Sequence, residues 1–129
     1  MDRREINPWP WSLDFGFNQA VEVTGAERVL YCSGQTSMSP AGEVQHAGDM
    51  AAQLGLCVDN LATVLADAGM GLDNIVRLDL FTTDLDAFME SYGVVAARLG
   101  EARFASTLVG VTQLAMPGLL VEIKATAVA

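Results

Sequence analysis

Few side chains of this 129-residue chain have types and positions suited to chemistry. Ser106 and Thr107 stand together at the entry to an apolar stretch, but a hydroxyl nucleophile needs a general base beside it. His46 is the single histidine, and it stands far upstream, in a loop before the first predicted helix. The sequence therefore disfavours a hydrolase that uses a serine or threonine nucleophile.

A carboxylate near the end of the chain is a second candidate. Glu122 and Lys124 share one face of the predicted last strand, because side chains alternate along a strand. Glu122 could be a solvated surface carboxylate, or it could orient or deprotonate a water molecule if it is partly buried. Cys32 and Cys57 have neither a neighbouring cysteine nor a suitably spaced histidine, so we predict buried thiols and no metal.

The composition limits the possible partners. Seven basic residues stand against sixteen acidic ones, which gives a net charge of −9, and the basic residues form no patch. Nucleic acid is therefore not an expected partner. No run approaches the roughly 20 apolar residues of a membrane span, and no apolar segment follows the charged N-terminus. We expect a cytoplasmic protein with no membrane partner.

Periodicity predicts one domain over residues 1–129. Residues 1–14 read as an irregular arm, in which Trp9 and Trp11 could pack at a subunit interface or cover a cleft. Gly, Pro and capping residues separate the elements that follow. We predict a hairpin of strands at 15–23 and 28–34, helices at 47–68 and 84–100, and strands at 74–83, 105–114 and 119–129.

The order β-β-α-β-α-β-β indicates an α+β fold with a mixed β-sheet and two helices on one face. By alternation, we expect the less apolar sides of the last two strands to share the uncovered face. That face would carry Ser106 and Leu108 from one strand and Glu122 and Lys124 from the other. A face of such mixed polarity favours covering by other copies of the chain.

Several fragments in a particular order resemble one known family. They are "GFNQAV", "SGQ", "AAQ" and "DNL" on the first helix, "AG" at its end, and the terminal "VEIKATAV". In order and spacing they are similar to the RidA family, also called YjgF-like and in part labelled L-PSP endoribonuclease, from about Phe15 to Val128. The resemblance implies a chorismate-mutase-like α+β fold and a homotrimer with a cleft at each subunit interface.

The resemblance also implies an activity. Active members hydrolyse enamines and imines of amino acids to ammonia and a keto acid, with no cofactor or metal. In these members an arginine holds the substrate carboxylate through a bidentate pair, a geometry that suits the planar guanidinium group. A glutamate near the last strand positions the attacking water.

Four positions of this chain correspond to the family's cleft residues, two of them with a changed residue type. Gly34 corresponds to the glycine of "SGQ", and Glu122 to the water-positioning glutamate, which makes it the predicted catalytic residue. Phe17 stands where the family has a tyrosine, so the ring is kept without its hydroxyl. Tyr92 stands where the active group carries an asparagine on the second helix, and it could instead belong to the core.

The position of the family's carboxylate-binding arginine carries a larger change of residue type in this chain. The family motif "PARS" corresponds to "FAST" at 104–107, so Ser106 replaces the arginine, Thr107 follows it, and Leu108 stands where the family has a cysteine. A neutral hydroxyl cannot form a charged bidentate contact. Arg103, three residues upstream, could curl back as a substitute. Without such a substitute, the resemblance implies loss of the usual 2-imino acid deaminase activity.

Three functions follow from the resemblance and its departures. The first is a divergent, cofactor-independent hydrolase that acts on an imine, an enamine or a related C–N bond through Glu122. The alternative is a non-catalytic trimer that binds or senses a small apolar or cationic metabolite. The acidic composition disfavours the third, an endoribonuclease.

Overall fold

The structure is a computed structural model that describes residues 1–101 and 103–129. In this part of the chain, short 3-10 turns accompany three α-helices, α1 (Met50–Asp67), α2 (Leu85–Ser91) and α3 (Gly93–Leu99). The strands are β1 (Asp2–Ile6), β2 (Ala20–Thr24), β3 (Val29–Tyr31), β4 (Gln35–Thr36), β5 (Ile75–Thr82), β6 (Ala105–Gly110) and β7 (Val121–Val128).

Strand β7 lies at the centre of the larger sheet. It pairs antiparallel with β5 on one side and with β3 and β4 on the other. Strand β6 continues the sheet beyond β5 in the parallel direction. A parallel neighbour requires a crossover connection, and α2 and α3 form it between β5 and β6. The sheet is therefore mixed, as the order of elements predicts.

The helices cover one face of this sheet. The apolar stripe of α1 is buried, and so are the alternate residues of β5 and β7 beneath it, which together form the core. On the helix, buried positions include Leu54, Cys57 and Leu61; in β7 they include Val121 and Ile123. The predicted α+β fold with its helices on one face is confirmed.

Both predicted helices differ in detail. Helix α1 begins at Met50 rather than 47, because His46 and Gly48 have positive φ angles of 58° and 78°, and the carboxylate of Asp49 then accepts from the Ala52 N–H. The second predicted helix is two helices, α2 and α3, that meet at Tyr92. Glycine lowers helix stability, and Gly93 follows the break directly.

The N-terminal prediction needs a larger correction. The segment expected to be an irregular arm contains β1, which pairs with β2 from Ile6 opposite Ala20 to Asp2 opposite Thr24. The predicted hairpin is wrong, because β2 takes β1 as its partner and β3 pairs with the C-terminal strand instead. The carbonyl of Ala129 accepts from the backbone N–H groups of Glu27 and Arg28, which holds the start of β3 there.

No helix in the described ranges is long and apolar enough to cross a membrane.

Candidate ligand-binding site

A cavity of about 670 Å³ lies between the N-terminal region, the α2–α3 junction and strands β5 and β6. We call it the aromatic cavity, because five ring side chains line it. These rings come from two separate parts of the chain: Trp11, Phe15 and Phe17 before β2, and Phe88 and Tyr92 on and after α2.

The first wall depends on a 3-10 helix at Pro10–Phe15. Proline at its start has a φ angle suited to a helix, and Gly16 ends it with a φ of 82°, in the left-handed region that favours glycine. The turn brings the rings together edge to face, with the Trp11 centroid 6.2 Å from Phe15 and 5.9 Å from Phe17.

Hydrogen bonds attach this wall to the large sheet. The backbone N–H of Asn18 donates to the Phe104 carbonyl at 2.9 Å, immediately before β6. The side chain of Asn7 donates to Asn18 Oδ1 at 2.8 Å and accepts from the Gln19 N–H at 2.9 Å. The ring of Phe17 is therefore held beside β6 by its neighbours in the chain.

The second wall is formed by Phe88 and Tyr92, whose centroids are 5.7 Å apart. Phe88 is fully buried, while Tyr92 is partly buried and packs against the core. Burial raises the pKa of the Tyr92 phenol, so this hydroxyl stays neutral near pH 7. Tyr92 therefore belongs to the cavity wall and to the core packing at once.

Ser106 and Leu108 line the cavity from β6. Because Ser106 pairs with Leu78, and Leu108 with Leu80, these side chains face the helices together with the buried residues of β5. The expectation that Ser106 and Leu108 share the uncovered face with Glu122 is wrong. Alternation gives the two faces of each strand. The pairing of β6 and β7 with β5 decides which of these faces lie on the same side of the sheet.

The hydroxyl of Ser106 already has a partner. Its Oγ donates to the carbonyl oxygen of Leu78 at 2.7 Å. Arg103 does not replace the missing arginine in this arrangement, since it lines two other depressions of the surface, with Glu101 beside it in both. Among the residues that the structure describes, no arginine or lysine lines the aromatic cavity.

Glu122, Gly34 and Thr107 lie on the open face of the sheet. Glu122 is half-buried, and a Cβ atom added at Gly34 would overlap its side chain and force the carboxylate to move from this position. Glu122 pairs with Phe81 across the sheet, and Thr107 pairs with Asp79. Within one chain, the predicted site residues therefore form two groups on opposite faces.

Cys57 lies beneath the strand that carries Glu122. Burial, with an additional contribution from the Glu122 carboxylate, raises the pKa of its thiol to about 12. The thiolate is the nucleophilic form, so Cys57 is a core residue rather than a reactive one. In the described ranges, no three His, Cys, Asp or Glu residues are grouped so as to hold a metal ion.

Several cavity residues were not singled out from the sequence. Asp14 supplies the only charged side chain in the lining, as far as the described residues show. The other cavity residues that were not singled out are Leu13, Phe15, Gly16, Leu80, Phe88, Met89 and Ala96. The available signal was the density of aromatic residues in "WPWSLDFGF" at 9–17. The 3-10 helix at Pro10–Phe15 was not predicted from the sequence, so the density of rings alone did not show which of them would be in contact.

The comparisons with known proteins agree with this architecture. Residues 14–129 match the family described as Endoribonuclease L-PSP. The mitochondrial protein mmf2 of Schizosaccharomyces pombe is 33% identical over 129 residues, 98% of each chain. Protein DfrA of Myxococcus xanthus is 36% identical over 112 residues, covering 87% of this chain and 84% of DfrA.

Solved structures of related proteins have the same fold as this chain. The Rid-family protein YyfB of Yersinia pestis, described as of unknown function, superposes with a TM-score of 0.87 at 36% identity, and the match covers 100% of both chains. Mmf1 of yeast superposes with a TM-score of 0.72 at 27% identity, covering 87% of this chain and 86% of Mmf1. The fold and the family match thus define a protein of the Rid type. The chain belongs to the Endoribonuclease L-PSP family, also known as the RidA or YjgF-like family.

Proposed function

We propose that this protein binds a small organic molecule in the aromatic cavity. The observation that supports it is the cavity itself, which at about 670 Å³ has the size of an ordinary small-molecule site and is lined mainly by rings and aliphatic groups. Ser106 adds a fixed polar group on one wall. RNA is a poor candidate ligand, because the protein carries a net charge of −9.

Blocking the cavity tests this proposal. Ala96 lines the cavity from α3, whereas the exposed Ala97 next to it does not. We expect Ala96→Phe to weaken the binding of small aromatic probes at least about tenfold by occupying their space, and Ala97→Phe to leave it unchanged. Titration calorimetry measures the affinity of each variant for the probes. Equal binding by the two variants would place the ligand elsewhere.

We also propose that three copies assemble through the open face of the sheet. On that side the apolar or aromatic side chains of Tyr31, Val29 and Val109 are 80%, 50% and 39% exposed, at the two edges of the sheet. Asp79 is buried there, and its Oδ1 has no hydrogen-bond partner among the described residues. A neighbouring subunit would cover the apolar side chains and could supply a donor to this oxygen.

The number of subunits in the assembly can be measured directly from its mass in solution. Light scattering should give three times the chain mass of 13.7 kDa. Tyr31→Glu, which introduces a charge in the apolar part of the proposed interface, should shift the mass towards that of one chain. The exposed Asp67, at the end of α1, provides a control as Asp67→Asn, which should leave the mass unchanged. A wild-type mass of 13.7 kDa would contradict the trimer.

The position of Glu122 favours a second candidate function, hydrolysis of an imine, an enamine or a related C–N bond. Glu122 is half-buried and packed under Gly34, which suits a carboxylate that holds a water molecule in one orientation. In the reaction, water adds to the C=N carbon while Glu122 accepts one of its protons and the nitrogen takes up a proton from solvent, which gives a carbinolamine. Glu122 then returns its proton to the nitrogen. The hydroxyl loses its proton to solvent as the C=O bond forms, and the C–N bond breaks to release ammonia. Since Glu122 and the aromatic cavity lie on opposite faces of one chain, this function requires the proposed trimer to bring Glu122 of one subunit to the cavity of another.

A further inference from the structure

We propose that the aromatic cavity selects organic cations, specifically an ammonium or iminium group carried on an aromatic or apolar body. This rests on the proposed binding function and gives its ligand class. It reverses the polarity of a site built around an arginine, which would bind carboxylates. Three independent features of the cavity support it.

The first feature is the direction of the hydrogen bond at Ser106. Since its hydroxyl proton is donated to the Leu78 carbonyl at 2.7 Å, the Ser106 oxygen has only lone pairs left for a ligand. It can therefore accept from an N–H group, whereas a carboxylate would meet a second acceptor. The replacement of arginine by Ser106 thus changes a donor position into an acceptor position.

The second feature is the charge of the lining. Asp14 is exposed to solvent and lines the cavity. Its carboxylate accepts hydrogen bonds and attracts cations, and in the described lining no cation opposes it. The net charge of −9 adds a long-range field of the same sign. An anionic ligand would be repelled both on approach and after binding.

The third feature is the set of rings. Trp11, Phe15 and Phe17 meet edge to face near the cavity entrance, and Trp11 and Phe15 remain 54% and 61% exposed. Ring faces attract ammonium groups, most strongly for tryptophan, and they also stack on an aromatic ligand body. Trp11 precedes residue 14, where the match to the family model begins.

Three probes of nearly equal shape test the proposal. Titration calorimetry near pH 7 compares 2-phenylethylamine, which is cationic, with the neutral 2-phenylethanol and the anionic phenylacetate. We expect the amine to bind about tenfold more tightly than the alcohol, and phenylacetate to bind most weakly. If the alcohol or phenylacetate binds as tightly as the amine, the cation preference is wrong while small-molecule binding stands. If no probe binds, both proposals fail.

A pair of variants locates the preference. Both carboxylates are exposed, but only that of Asp14 lines the cavity, so Asp14→Asn removes the charge beside the ligand and Asp67→Asn removes one at the end of α1. Asp14→Asn should weaken the binding of 2-phenylethylamine several-fold and leave the binding of 2-phenylethanol unchanged. Asp67→Asn should change the binding of neither probe. An equal effect of the two variants on the amine would show that the preference does not arise in the cavity.

Discussion

Replacing Gln53 by leucine should lower the free energy of unfolding by about 3 kcal/mol. Gln53 is fully buried in α1. Its Nε2 donates to the carbonyl oxygens of His46 at 3.1 Å and Gly118 at 2.8 Å, and its Oε1 accepts from the Leu120 N–H at 2.8 Å. Leucine keeps the size of the side chain but makes none of these hydrogen bonds. The Gly118 carbonyl and the Leu120 N–H then lose this partner, while the His46 carbonyl keeps its hydrogen bond from the Asp49 N–H.

Chemical denaturation of the two matched variants measures this effect. Gln113 is exposed, and Gln113→Leu should change the free energy of unfolding by no more than about 0.5 kcal/mol. A similar loss in both variants would show that Gln53 does not stabilise the fold through its amide. Leu120 lies directly before β7, so Gln53 also fixes the start of the strand that carries Glu122.

If the second candidate function holds, Glu122→Gln should reduce imine hydrolysis at least about 100-fold, because an amide cannot accept the proton of the attacking water. The substrate to use is the imine of 2-phenylethylamine, generated in situ by an amine oxidase, because it carries no carboxylate. Competition with semicarbazide for the imine gives the rate. Glutamine has nearly the size of glutamate, so binding of 2-phenylethylamine in the aromatic cavity should persist.

Two controls make the result specific. Glu90 is an exposed carboxylate on α2 outside the cavity lining, and Glu90→Gln should keep full activity. The wild-type protein should not accelerate hydrolysis of 2-iminopropanoate, since Ser106 cannot hold its carboxylate. Unchanged activity in Glu122→Gln would remove Glu122 from the mechanism. A clear rate with 2-iminopropanoate would contradict the role assigned to Ser106.

Sequence periodicity was sufficient for the main elements of the fold. The apolar stripe of α1 and the alternation of β7 are local patterns, and both contribute predicted residues to the core, although α1 also buries Gln53, Val58 and Leu65. The pairing of β2 was not predictable in this way. Polar residues in β1 hide its strand character, and its pairing with β2 depends on the intervening 3-10 helix, which reverses the chain.

The sequence by itself determined which residue types are available: Ser106 in place of an arginine, a carboxylate at Glu122, and many rings near the N-terminus. Only the tertiary structure decided how they are grouped. It places Ser106 with Phe17 and Tyr92 in the aromatic cavity, and Glu122 with Gly34 on the opposite face. The physical reason is register, because alternation gives the two faces of each strand, while pairing through β5 decides which faces of β6 and β7 coincide.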